Sequence, residues 1–494
     1  MNTITGYYLG KSMEDLMKKT INVLVILFFV LVLAISPIGQ LHQTALAAAT
    51  TKSFSTNYTL INLGTSEATV NAQYLTPGGQ EWGNSSFKSF TIPVGGNQIV
   101  RQYQDPGLTT GRGSVVVSSN QPLGAVVQEI TLSGVPSSGA YTGISVPSMT
   151  WIIPQLARKA NSASGLANSQ IIIQNVGATS VDFKIDYYKF GTSTIAFTKN
   201  YTGLAAGASQ LVDLDNETGL PVAWWGSAVI STTSGSLGVI SHLFFGADSL
   251  LAFNAYPLEN VTPAWKIPLL YSRLSNTLNT SLAIQNVSGA EIPVNDLTLA
   301  CIKDPSATGP ATLTLKNAAA IANYSSYTFN TLTDTTNFPD GWYGSCEVTS
   351  ATSKNTAVLI MYRYTKNAEF AAYEAVPSNL TSKKVSIPLV AKRLANGYAN
   401  TVTIQNMAST AATVTITYYP SGGGTPIVRS GVTIPGDASL IRNFRLAGTE
   451  APDMPDGWVG SMVVESNTPI AAYVSNTYLI PSGDQFMAYL GFNN

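Results

Sequence analysis

Residues 400–419, NTVTIQNMASTAATVTITYY, read as two strands joined by a tight turn. Ile404-Gln405-Asn406 closes the first strand. Val414, Ile416 and Tyr418 then alternate with Thr415, Thr417 and Tyr419, the period of two that turns one strand face to a core and the other to water. The pattern recurs three times upstream. After Ile173-Gln174-Asn175, the residues Val181, Phe183, Ile185 and Tyr187 alternate with Asp182, Lys184 and Asp186, the cleanest separation in the chain. Asn62 and Asn286 lead the other copies. The last inward residue lies 12 positions after the Asn in three copies (Tyr74, Tyr187, Tyr418) but 15 in the third (Cys301), which therefore carries a longer turn.

A second signature, a Gly-Ser pair opening an apolar strand, stands at Gly113-Ser114, Gly226-Ser227, Gly344-Ser345 and Gly460-Ser461, in steps of 113, 118 and 116 residues. Repeats of that length are domain-sized, not solenoid turns. Each holds roughly eight strand candidates between turn residues, and helical periodicity is nearly absent beyond the N-terminal run. The expected class is all-β: four tandem Ig-like β-sandwich domains over residues 48–150, 151–264, 265–382 and 383–494. An alternative makes each repeat two four-stranded blades of a closed eight-bladed β-propeller.

The order Asn175-Val176-Gly177, an alternating strand ending at Tyr187, then Leu204-Ala205-Ala206-Gly207-Ala208-Ser209 before another strand resembles the immunoglobulin-like β-sandwich modules of bacterial exported and cell-surface proteins, including the cell-adhesion-related domain type. The likeness spans residues 171–215 and 402–445. It implies surface display, spacing or adhesion, and it brings no catalytic residues with it.

Lys18-Lys19 precedes a mostly apolar run over residues 21–35, and Ala45-Leu46-Ala47 has the small-residue pattern of a signal-peptidase site. This predicts a signal peptide over residues 1–47, with an uncleaved anchor as the alternative. No second apolar span follows, so the mature protein is expected to be secreted or held at the cell surface without crossing a membrane. Charge is sparse and balanced, 26 Lys and Arg against 27 Asp and Glu without a basic cluster, which argues against nucleic acid as a partner.

Candidate chemistry is thin. The mature chain has one histidine, His242, aligned with Gln128, Met361 and Ser475 of the other repeats, which argues against a His-based triad or a His-rich metal site. No nucleophile elbow, phosphate-binding loop or dinucleotide fingerprint is found, so neither an enzyme nor a cofactor is expected. Asp213, Asp215 and Glu217 offer oxygen ligands without the spacing of a calcium loop, and a solvated loop is expected there. Cys301 and Cys346, the only cysteines, both fall on inward positions of the third repeat, which in an exported sandwich predicts a disulfide. Pro339-Asp340-Gly341-Trp342 and Pro455-Asp456-Gly457-Trp458 mark one corner in repeats three and four, with Trp224-Trp225 in the same place in repeat two and Gly111-Arg112 in repeat one. Trp342 and Trp458 either pack over the sandwich end or stack on a sugar.

Ile153-Pro154, Ile267-Pro268 and Ile387-Pro388 open three matching segments, followed by the basic residues Arg158, Arg273 and Arg393. Four repeats share only three of them. Each segment reads as the first strand of the next repeat, the last strand of the previous one, or a linker. As a strand, it leaves one terminal repeat with an open edge through which chains join head to tail. The expected function is a non-enzymatic structural or adhesive surface protein whose partners are other copies of itself or a cell-surface glycan or protein. A carbohydrate-binding protein using the Trp corners is the alternative.

Overall fold

The computed structural model describes residues 54–131, 134–246, 248–275, 277–366 and 368–493. The described residues all belong to one compact unit, Lys52–Asn494. The expected signal peptide lies outside the described residues.

Repeat one holds β1 (Phe54–Asn62), β2 (Ala68–Leu75), β3 (Ser89–Ile92), β4 (Asn97–Arg101), β5 (Ser114–Ser119), β6 (Leu123–Thr131) and β7 (Ser138–Thr142). Repeat two holds β8 (Thr150–Arg158), β9 (Ala160–Ser162), β10 (Gly165–Asn175), β11 (Val181–Lys189), β12 (Ile195–Leu204), β13 (Ser209–Asp213), β14 (Trp224–Thr232), β15 (Leu237–Phe245), β16 (Ser249–Asn254) and β17 (Tyr256–Pro257). Repeat three holds β18 (Ala264–Ser272), β19 (Leu278–Asn286), β20 (Leu297–Lys303), β21 (Thr312–Lys316), β22 (Ser326–Asn330), β23 (Trp342–Ser350), β24 (Thr356–Tyr364), β25 (Glu369–Glu374) and β26 (Val376–Pro377). Repeat four holds β27 (Lys384–Ala391), β28 (Tyr398–Asn406), β29 (Ala412–Pro420), β30 (Ile427–Ile434), β31 (Ser439–Asn443), β32 (Val459–Ser466), β33 (Ile470–Tyr478), β34 (Met487–Leu490) and β35 (Phe492–Asn493).

Each repeat builds two antiparallel sheets. The inner ones run β4-β1-β6-β7, β13-β10-β15-β16 with β9 added to β10, β22-β19-β24-β25 and β31-β28-β33-β34. The outer ones run β3-β2-β5, β12-β11-β14-β8-β17, β21-β20-β23-β18-β26 and β30-β29-β32-β27-β35. None of these sheets closes into a barrel. The chain repeatedly changes sheet, from β10 to β11 and from β14 to β15, whereas a propeller blade is a four-stranded sheet of consecutive strands; the propeller alternative is therefore not what forms.

The Asn signature is the corner where the chain passes from inner to outer sheet. Asn175 Oδ1 accepts from Gly177 N at 2.9 Å, while Nδ2 donates to Thr179 O at 2.7 Å and Leu204 O at 2.9 Å. Asn62 bonds in the same way to Gly64, Ser66 and Ile92; Asn286 to Ser288, Ala290 and Ile321; and Asn406 to Ala408, Thr410 and Ile434. All four are buried, so one side chain answers three backbone groups of the turn at once. In the third copy the longer turn folds back as an isolated bridge between Ile292 and Ile321. The glycine of the second signature is demanded by close approach. A Cβ on Gly113, Gly226, Gly344 or Gly460 would stand 2.0, 2.0, 2.0 or 2.1 Å from the carbonyl oxygen of Leu75, Tyr188, Ile302 or Tyr419.

The Ile-Pro segments are the first strands of the repeats that follow: β8 pairs with β14, β18 with β23 and β27 with β32. In each the register slips across the proline, between Ile153 and Leu156, Ile267 and Leu270, and Ile387 and Val390. A bulge is where a strand tolerates a residue that has no N–H to give.

The four repeats pack around one axis. Strands β7, β16, β25 and β34 lie against one another in chain order, and β34 closes onto β7. Buried Ala140, Ala252, Ala372 and Ala488 sit at matching positions of these strands, small enough for four strands to converge. Their partners across the ladder are Gln128, His242, Met361 and Ser475, the column that repeat alignment expects. At three junctions the Ser of the Gly-Ser pair donates to the next repeat. Ser227 Oγ reaches Tyr324 O at 2.6 Å, Ser345 reaches Asp437 O at 2.8 Å and Ser461 reaches Gly95 O at 2.5 Å. The three accepting residues have φ of +62°, +57° and +67° and occupy one equivalent turn.

Candidate functional site

The two carboxyl groups that burial raises, Asp484 and Glu374, lie where the central strands meet. Asp484 is buried beside that convergence, its carboxylate accepting Leu250 N at 2.7 Å from repeat two and Phe370 N at 2.8 Å from repeat three. Desolvation holds its pKa well above the ordinary carboxylate range, with those backbone bonds opposing the shift and Glu369 adding to it. Asn254, in the final position of β16, donates its backbone N–H to Glu374 Oε1 at 2.5 Å, while its side chain accepts Thr142 N at 3.0 Å and returns a bond to Thr142 O at 2.8 Å. Burial pushes Glu374 up to about 7. Each of these hydrogen bonds joins one repeat to another, and together they tie all four.

Around the junction of repeats three and four runs a set of buried tyrosines. Tyr362 and Tyr373 share a hydroxyl bond of 2.9 Å, and Tyr373 stacks on Tyr473 with ring centroids 4.7 Å apart and planes 7° from parallel. Neither this set nor the two acids stands out in the sequence. The available signal was positional: Tyr373 and Glu374 follow Ala372 in the alanine column, but the column acquires meaning only once the four strands are known to converge.

Cys301 and Cys346 are disulfide-bonded and directly opposite on β20 and β23, as their inward phase predicts. Trp342 is fully buried, its Nε1 donating to Pro310 O at 3.0 Å, so its ring offers no free face. Trp458 is half-buried and meets Tyr418 edge-on at 6.2 Å. Trp224 fills the same place in repeat two; in repeat one Trp82, from a different loop, covers Gly113 instead. The corner glycines Gly341 and Gly457 take φ of +72° and +87°, as the Pro-Asp-Gly turn requires.

His242 is buried between repeats one and two, its Nε2 3.3 Å from Glu129 Oε1 without hydrogen-bond alignment. The acidic loop is committed internally. Asp213 caps Asp215 N at 3.0 Å and receives Asn168 Nδ2 at 3.0 Å, Asp215 pairs with Lys159 at 2.9 Å, and Glu217 lies 3.6 Å from Lys199. Among the described residues no group of three His, Cys, Asp or Glu side chains is placed to hold a metal. The basic residues after the Ile-Pro segments clamp neighbouring loops. Arg158 donates to Leu214 O at 2.9 Å and Leu220 O at 2.6 Å, Arg273 to Thr331 O, Phe338 O and Asp340, and Arg393 to Arg445 O and Asp456 at 2.8 Å each.

No family model matches the chain. No curated protein is similar to it. Among solved structures, one titled as the crystal structure of Thermotoga maritima 1070 aligns at 21% identity over 23% of this chain and 95% of its own, with a TM-score of 0.20, too low to carry an argument.

Proposed function

We propose that this chain is a non-enzymatic, exported structural or adhesive surface protein whose four Ig-like sandwich repeats act as one body. The observation that supports this most is where the polar side chains go. Asp484, Asn254, Glu374 and the Ser of three Gly-Ser pairs are consumed in bonds between repeats, the use expected of a scaffold. The Cys301–Cys346 disulfide supports export, since such bonds persist in oxidising compartments. The glycan alternative finds less support, because Trp342 is buried. Head-to-tail self-assembly ranks below a body closed on itself, because repeat four already meets repeat one through Ser461 and Gly95. Labelling intact producing cells with a membrane-impermeant amine reagent tests the reading. Labelled full-length protein is expected; recovery only from the cytosol, with both cysteines free, would overturn it.

A further inference from the structure

Among the described residues, the fourth junction, between repeats one and two, shows no counterpart of a strand that the other three have. In repeats two to four the Ile-Pro strand lies between β14 and β17, β23 and β26, or β32 and β35. The outer sheet of repeat one is β3-β2-β5 alone, so among the described residues no strand pairs with the far edge of β5.

Each Ile-Pro strand also serves the repeat after its own. Ser326 Oγ donates to Pro154 O at 2.8 Å, Ser439 Oγ to Pro268 O at 2.7 Å, and Asn97 Nδ2 to Pro388 O at 2.6 Å. The counterpart in repeat two is Ser209, the first residue of β13, whose backbone N–H donates to Pro77 O of repeat one at 2.9 Å. Among the described residues its hydroxyl meets no Ile-Pro carbonyl.

Burial marks the same gap from both walls. On β5, Val116 is 43% exposed, where its counterparts Val229 and Val463 are 8% and 7%. Val115 and Val117 are only half-buried, whereas Ala228, Cys346 and Met462, and Ile230, Val348 and Val464, are buried. On the inner sheet of repeat two, Ile172 and Gln174 are half-buried, against buried Ala283 and Thr403, and Gln285 and Gln405. The edge itself is unguarded. β5 reads Ser-Val-Val-Val-Ser-Ser, without the lysine, proline or bulge that usually blunts an exposed strand, while β17 and β26 each end in proline.

The chain's own upstream sequence is a poor fit. Strands β8, β18 and β27 begin 25, 22 and 22 residues before the corner Asn of their repeats, which for Asn62 points to residues 37–48, PIGQLHQTALAA. That stretch has no Ile-Pro step and places Gln40, His42, Gln43 and Thr44 where the three known strands are buried almost throughout. Burying such groups unpaired costs about 1–3 kcal/mol each.

We propose that the position between β5 and the inner sheet of repeat two is a docking site for an extended segment of a separate polypeptide, added antiparallel to β5. The three internal strands define the ligand: Trp151-Ile152-Ile153-Pro154-Gln155-Leu156, Trp265-Lys266-Ile267-Pro268-Leu269-Leu270 and Val385-Ser386-Ile387-Pro388-Leu389-Val390. The shared pattern is a large apolar residue, any residue, Ile-Pro, any residue, then Leu or Val. Main-chain bonds to β5 supply affinity, the apolar positions fill the undersized core of repeat one, and the proline carbonyl meets Ser209. This holds whether or not the protein is exported.

The test is a fluorescent synthetic peptide of the Ala264–Ser272 sequence, titrated against the purified full-length chain, with hydrogen exchange followed at Ser114–Ser119. Saturable binding of about one peptide per chain is expected, with slowed exchange on β5 and a loss of at least roughly tenfold in affinity when the peptide's Ile is replaced by Asp. Val116→Lys, at an exposed position that folding tolerates, is expected to weaken binding as well. Three results would overturn the proposal: a freely exchanging edge that binds no peptide; an edge protected in the free chain and released on removing residues 1–53, which assigns the site to the chain's own N-terminal segment; or protection that appears only where the chain dimerises, which assigns it to a second copy.

Discussion

The Ser461 hydroxyl donates to the Gly95 carbonyl at 2.5 Å although 366 residues separate them, and it repeats the bonds from Ser227 to Tyr324 and from Ser345 to Asp437. The closing contact of the ring is therefore of the same kind as those between successive repeats. Replacing Ser461 by Ala is expected to cost about 1 kcal/mol, close to the cost of Ser227→Ala or Ser345→Ala. Because these three junctions are buried and Asn254 bonds repeat two to Thr142 of repeat one, the four repeats are expected to melt in one calorimetric transition. Four separable transitions, or a protease ladder in steps of one repeat, would contradict this.

Asn175 and its three counterparts each answer one backbone N–H and two carbonyls while buried. Asn175→Ala removes all three bonds at once, and because they are part-buried a loss of about 2 kcal/mol is expected. Asn406→Asp should be worse at neutral pH, since a carboxylate would face the carbonyls of Thr410 and Ile434. Urea midpoints decide it; an Asp variant as stable as the parent would mean that the corner is not held by this side chain.

The corners, the alternating strands, the inward cysteines and the repeat period were legible because each is local: an Asn that caps a turn, or a period of two, has its cause within a dozen residues. The His242 column was legible too, because repeats of nearly equal length, aligned on their Gly-Ser pairs, bring equivalent positions into register. The convergence of the repeats was not legible. It rests on Ala140, Ala252, Ala372 and Ala488, and alanine reads alike on any buried strand. The Ile-Pro segments stayed ambiguous for a related reason. Proline usually marks a connection, and only the bulge between Ile153 and Leu156 shows how it fits within β8.

The disulfide closes a loop spanning a sequence separation of 45 residues, which in the chain-entropy account contributes up to about 4 kcal/mol. Reduction is expected to lower the unfolding midpoint, with repeat three the first to lose exchange protection. Thiol labelling of the unfolded, unreduced protein is the direct check, and two reactive thiols would refute the bond.

Glu374 sets the expected pH dependence. Its side chain is buried between repeats two and three, accepts Asn254 N, and is pushed up to about 7 by desolvation, against an ordinary value of 4.5. The folded chain therefore holds this proton more tightly than the unfolded chain. Its contribution is fully present below about pH 4.5 and is lost as pH rises through 7, amounting to about 3 kcal/mol at ~1.4 kcal/mol per pKa unit. Asp484, raised for the same reason, acts in the same direction. The parent protein should thus lose stability between pH 5 and pH 8. Glu374→Gln keeps an acceptor for Asn254 without titrating, so its profile should be flatter, with the slope that remains assigned to Asp484 and removed further by Asp484→Asn. Parallel pH profiles for parent and Glu374→Gln would show that the carboxyl is ionised in the folded chain, and that water reaches the meeting point of the central strands.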